Sequence, residues 1–256
     1  GLSALAGSLV AFSANAVELT VSGTAEVTYS TITSTGTAQV NSGNPMGSNT
    51  SLKFNGSGDV GFGTATIRRT INDGMSAYLS AWQTLDMGSM GTVSFDAIGG
   101  ELAGLTPNDD LLPTAYEEIW NGVSSSGVSG ASSNDTLGYA NSYGPVSFSV
   151  AHTRGGTAGS SDGNVAAETG NSITDMAVSI DGSMLLDGLT IAAATSTEDG
   201  LNNATDTTNN VGHVLYSTGP VSVGYRLAES QPGSGKTVQT GKNIEAYSIA
   251  FAVNDN

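Results

Sequence analysis

The sequence predicts an all-β protein of about twelve antiparallel strands, on three observations. Apolar and polar residues alternate with period two in one segment after another. No apolar run after residue 16 approaches the length of a membrane helix. The connections between alternating segments sort by parity into short turns and longer polar loops.

The front of the chain stands apart from this pattern. Leu2, Leu5, Leu9, Val10 and Phe12 lie in an apolar stretch too short to cross a bilayer as a helix of ~20 residues. Ala14-Asn15-Ala16 follows with small residues, the pattern of a secretory cleavage site. Residues 1–16 are therefore expected to be a signal peptide whose n-region is missing, with the mature chain starting at Val17.

From Val17 the alternation begins. Val17, Leu19, Val21, Ala25, Val27 and Tyr29 take the odd positions; Glu18, Thr20, Ser22, Thr24, Glu26 and Thr28 take the even ones. Side chains of a strand point to opposite faces in turn, so one face is apolar and the other wet. The segment is longer than an ordinary strand of ~5–6 residues and suits a tilted membrane strand of ~9–11. Similar segments surround Leu52–Phe54, Ala65–Ile67, Val93–Phe95, Val146–Val150, Val221–Leu227 and Tyr247–Val253. Weaker ones lie at 75–84, 134–143, 173–181, 188–196 and 211–218.

Short turns are expected at 57–61, 86–91, 143–146, 182–187 and 217–220, two of them sharing the string Gly-Pro-Val-Ser. Longer polar connections fall at 31–50, 155–171, 197–210 and 229–242. With Val17 in the periplasm, the long ones all lie outside, an asymmetry typical of membrane barrels. Closure has a physical reason too. Backbone polar groups in hydrocarbon must pair within the protein, so a β protein in lipid has to close. Sparse bulky residues and many small ones suit a wall between lipid and water better than a packed sandwich core. The fold expected is thus an antiparallel transmembrane β-barrel over residues 17–256.

Composition narrows the function. The chain has 256 residues, 7 Lys and Arg against 23 Asp and Glu, and a net charge of −16. That balance argues against nucleic acid and anionic lipid headgroups as partners. Cys is absent, which excludes disulfides and thiolate metal sites. No G-x-S-x-G, H-E-x-x-H or P-loop occurs, so no enzyme, cofactor or metal is expected. His152 ends one strand and His213 opens another, and both are expected to be ordinary surface or interface histidines.

One connection is unlike the rest. Residues 99–133 form a stretch far longer than the ~12–15 residues above which loops are usually functional or disordered. It carries Glu101, Asp109, Asp110, Glu117 and Glu118 among Leu102, Leu105, Leu111, Leu112, Tyr116, Ile119 and Trp120. So many apolar residues argue against disorder and for packing on the barrel interior.

The Ala-x-Ala site, the opening Val-Glu-Leu-Thr-Val-Ser-Gly and the string Gln-Thr-Leu-Asp-Met-Gly-Ser-Met-Gly-Thr-Val-Ser-Phe-Asp at 83–96 resemble Gram-negative general porins, most of all those of marine alphaproteobacteria. The resemblance covers nearly the whole chain through diffuse motifs. It implies a 16-stranded outer-membrane barrel, usually a homotrimer, for passive diffusion of small hydrophilic solutes and ions. It also implies a third external loop folded inward as a constriction, which residues 99–133 match by strand count. Acidic residues of that loop face a basic wall in the family. Here the acidic candidates are Asp109, Asp110, Glu117 and Glu118. Parity selects the basic ones: Lys53, Arg68 and Arg226 lie on polar strand faces, whereas Arg69 and Arg154 do not. Rings of carboxylates favour cations, so a mild cation preference is expected. The chain departs from the family at Val253-Asn254-Asp255-Asn256, where a terminal strand ending in Phe is usual. An incomplete barrel is therefore expected, about twelve of sixteen strands. The rival reading is a secreted structural or adhesive β protein of the S-layer or adhesin kind. The direction of the apolar face discriminates, and Tyr29, Tyr143, Tyr225 and Tyr247 are expected near strand ends as aromatic girdles.

Overall fold

The computed structural model describes residues 18–29, 46–72, 78–98, 102, 104, 108, 111–113, 135–154, 171–199, 206–232 and 241–252. The expected signal segment lies outside these residues. The chain is all-β and antiparallel, with strands in chain order. No helix of the described residues is long and apolar enough to cross a membrane. Two compact units divide it, Gly1–Gln83 and Thr84–Asn256.

The first unit holds β1 (Glu18–Tyr29), β2 (Met46–Asp59), β3 (Thr64–Asn72) and most of β4 (Tyr78–Asp86). The register sets Val21 opposite Phe54 and Leu19 opposite Gly56, while Ser22 faces Lys53 and Thr20 faces Asn55. The period-two pattern thus separates an apolar from a polar face, as the sequence predicts. Hydroxyl pairs bridge the polar face. Thr24 Oγ1 lies 2.7 Å from Ser51 Oγ, and Ser80 Oγ donates to Thr70 Oγ1 at 2.9 Å. Each such cross-strand pair contributes roughly 0.2–1 kcal/mol.

The second unit contains β5 (Thr92–Ile98), β6 (Thr136–Tyr143), β7 (Val146–Thr153), β8 (Ser172–Asp181), β9 (Leu189–Asp199), β10 (Thr207–Thr218), β11 (Val221–Pro232) and β12 (Lys242–Phe251). The repeated Gly-Pro-Val-Ser string builds the same device twice. Gly144 (φ +56°) and Gly219 (φ +53°) open two-residue turns, where glycine is needed at the first central position of a type II′ hairpin. Pro145 and Pro220 follow without losing a ladder bond. Their carbonyls accept the N–H of Asp181 and Ala252, each at 2.8 Å. The Ser of each string meets a partner hydroxyl across the hairpin: Ser142 with Ser147 at 2.8 Å and Ser217 with Ser222 at 2.9 Å.

The apolar contacts on the shielded face of this unit are small. Ala177, Ala194, Val211 and Ala228 form a buried row across β8–β11, with Ile244 of β12 packed against it. Bulky residues take the opposite face. Met176 is 56 % exposed and Ile249 79 %, with Phe95, Leu137, Ile180, Val214 and Leu227 also exposed.

Three expectations need correction. Pairing runs further into the expected loops: β2 starts at Met46, β9 reaches Asp199, β10 starts at Thr207 and β11 reaches Pro232. Backbone ladders continue where both faces are polar, so hydrophobic alternation underestimates strand length. Second, the sorting of connections has an exception, since only residues 73–77 separate β3 from β4. Third, Tyr225 and Tyr247 pair with each other several residues inside β11 and β12 rather than near their ends; Tyr29 and Tyr143 do close their strands. Among the described residues β1 pairs only with β2, and β12 only with β11.

Candidate functional site

In the second unit the shielded face carries the charged and polar groups. Register places Ala151, Asp175, Ser196 and Asn209 side by side across β7–β10. A neighbouring row runs Ala192, His213, Arg226 and Ala246 across β9–β12. Asp175, His213 and Arg226 are 0 %, 2 % and 1 % exposed. Charged groups are almost never so deeply shielded unless paired.

The described part of 99–133 lies against this face and contributes to the shielding. The Gly104 N–H donates to Ser149 Oγ on β7 at 3.1 Å. A Cβ at Gly104 would stand 2.5 Å from Asp175 Cβ and 3.1 Å from Ala151 Cβ, and the residue has φ +88°. Only glycine fits both demands. Asn108 Nδ2 closes a local turn by donating to the Gly104 carbonyl at 2.7 Å. The Leu111 N–H donates to His213 Nε2 on β10 at 3.2 Å. On β11, a Cβ at Gly224 would fall 2.6 Å from Pro113 Cδ and 2.9 Å from Leu112 Cδ2. The segment thus touches β7, β8, β10 and β11, with Gly104 and Gly224 allowing its close approach. Beside Asn108 a cavity of about 500 Å³ opens, lined by Thr92, Ser142, Ser147, Ser149 and Ser179 among others. It is a hydroxyl-rich space, with no charged side chain among the described residues of its lining.

In the first unit the polar face holds Lys53 and Arg68. Lys53 pairs with Thr70 and Asn55 with Arg68. Arg68 Nε donates to Asn55 Oδ1 at 2.7 Å, and its Cζ lies 4.6 Å from the centre of the Trp82 ring. Arg69 falls on the apolar face opposite Phe54 and donates through Nη1 to the Arg68 carbonyl at 2.8 Å.

Of the residues expected to carry function, Lys53 and Arg68 share one polar face and Arg226 sits on the polar face of the other unit. Asp109, Asp110, Glu117 and Glu118 lie outside the described residues. Sequence reasoning missed Trp82, whose position on a weakly alternating strand hides its place beside Arg68. It also misassigned His213. That residue is a buried acceptor within β10, not a surface histidine at a strand start, because the strand begins at Thr207. His152 is exposed as expected, with Nδ1 2.9 Å from Thr174 Oγ1.

The class these features define is an all-β antiparallel sheet whose second unit exposes bulky apolar residues such as Met176 and Ile249 while Asp175, His213 and Arg226 are shielded. No protein-family model matches the chain, and no curated protein does.

Proposed function

We propose that this chain forms the wall of an outer-membrane β-barrel of the porin type, a passive diffusion channel for small hydrophilic solutes and ions. The observation that carries the reading is the inverted polarity of the second unit. Burying a Leu, Ile, Met or Phe side chain contributes roughly 1.5–3 kcal/mol, yet here these side chains are exposed while Asp175, His213 and Arg226 are shielded. Large exposed apolar patches mark protein–protein or membrane contact surfaces; outer-membrane lipid is the partner that would cover these side chains. The same face carries aromatic clusters. Tyr143 stacks on Phe148 at 6.2 Å, Tyr139 lies 6.0 Å from Phe148 and Tyr225 lies 5.1 Å from Tyr247. Amphipathic rings of this kind favour the membrane–water interface.

In this reading the polar faces line the channel. Residues 99–133 narrow it, supported by the contacts of Gly104, Leu111, Leu112 and Pro113 with the polar face. Asp109, Asp110, Glu117 and Glu118 supply the acidic side of the constriction; Lys53, Arg68 and Arg226 supply the basic wall. A mild cation preference and a homotrimeric assembly belong to the same proposal. Planar bilayers test it: the full chain should give stepwise, ohmic conductance with modest cation selectivity. Folded protein that never forms channels overturns the reading and favours a structural or adhesive surface protein. Joint neutralisation of the four carboxylates should lower cation selectivity.

A further inference from the structure

Within the first unit, Arg68 is held in an unusual way. Its Nε is committed to Asn55 Oδ1 at 2.7 Å, and its Cζ lies over the ring of Trp82, which is only 7 % exposed, at 4.6 Å from the ring centre. Cations within ≈6 Å of an indole centroid are attracted by the ring quadrupole. Both partners come from neighbouring strands of one face. Ser80 meets Thr70 and Trp82 meets Arg68, and a two-residue step along β3 matches a two-residue step back along β4, as one antiparallel register requires. The guanidinium is thus held at its Nε and by the Trp82 ring.

A second cation stands nearby. Lys53 is paired with Thr70, two residues along β3 from Arg68, which makes it Arg68's diagonal neighbour on that face, a spacing of roughly 7–8 Å. Among the described residues no carboxylate forms an ion pair with either. Two adjacent cations repel each other, and an anion placed between them relieves that repulsion. Arg presents its remaining N–H groups in a planar fork that matches carboxylate and phosphate oxygens.

We propose that Asn55 and Trp82 are positioning residues that lock Arg68, with Lys53 beside it, as a docking point for the oxyanion of a solute, a carboxylate or phosphate group. Its role in permeation rests on the channel reading; the site itself rests on the geometry of the first unit alone.

The test separates the two. The chain has two tryptophans, Trp82 and Trp120, so W120F leaves Trp82 as the sole reporter beside Arg68. Full-length W120F protein folded in detergent micelles is titrated with inorganic phosphate, and with acetate, against NaCl of equal ionic strength. The expected result is a saturable change in Trp82 emission. In the same background R68M should abolish it. N55D should weaken apparent affinity about tenfold or more, because a carboxylate placed on Nε neutralises the guanidinium while keeping it in position. In channels with the natural Trp82, phosphate should block current saturably. W82F, which keeps a ring, should retain much of the block, and W82L should lose it with heat-modifiable folding intact. An emission change identical to the NaCl control, or one that survives R68M, overturns the proposal. So does phosphate block unaffected by R68M in conducting channels. A saturable titration in protein that forms no channels keeps the site and overturns the channel reading instead.

Discussion

The backbone N–H of Leu111 donates to Nε2 of His213 at 3.2 Å, joining the long segment after β5 to the middle of β10. In this bond the Leu111 N–H is the donor and Nε2 the acceptor. Opposite His213 on β11 stands Arg226. Among the described residues the segment also meets the strands at Gly104, against β7 and β8, and at Leu112 and Pro113, against β11.

Replacing His213 with Phe keeps an aromatic ring but removes the acceptor. The Leu111 amide is then left without its partner, a loss of about 1–3 kcal/mol for a shielded group. The expected result is faster hydrogen exchange at Leu111, with protection of the β8–β9 ladder retained. Unchanged exchange at Leu111 would refute the tether.

Two glycines of positive φ separate strain from collision. Gly144 has φ +56° and open space where a Cβ would sit; Gly104 has φ +88° and Asp175 in the way. Gly144→Ala should cost roughly 1–2 kcal/mol from the left-handed conformation alone. Gly104→Ala adds displacement of the segment from Asp175, so its cost should be larger by about 1–3 kcal/mol, the range for overpacking. Urea unfolding midpoints of the two variants check the order. Equal shifts would mean that Gly104 is not packed on the sheet.

Met176 tests what covers the apolar face. It is 56 % exposed in mid-β8, between Val150 and Thr195. On a water-facing surface Met176→Arg should change stability by no more than ~0.5 kcal/mol. On a lipid-facing surface near the bilayer centre it should destabilise by roughly 2–4 kcal/mol. Equilibrium folding into phosphatidylcholine vesicles decides between these, and a neutral substitution there argues against lipid contact.

Local chemistry explains how much of this was legible beforehand. Period-two alternation gave the two faces of β1 to β3, β5, β7, β11 and β12, because side-chain direction in a strand follows from position alone. Gly-Pro strings located two hairpins, because the turn type demands those residues. Parity likewise put Lys53, Arg68 and Arg226 on polar faces and Arg69 on the apolar one. Strand ends escaped this reasoning, because ladders extend wherever backbone groups can pair, whatever the side chains.

By itself, then, the sequence determined an all-β antiparallel chain and the two faces of its clearly alternating strands, since both depend on residue spacing. Only the tertiary structure decided which residues meet. That Trp82 lies under Arg68, that Leu111 reaches His213 and that Gly104 rests on Asp175 depends on register and on the path of a long connection. Those are set by many distant contacts acting together, and no local pattern in the chain encodes them.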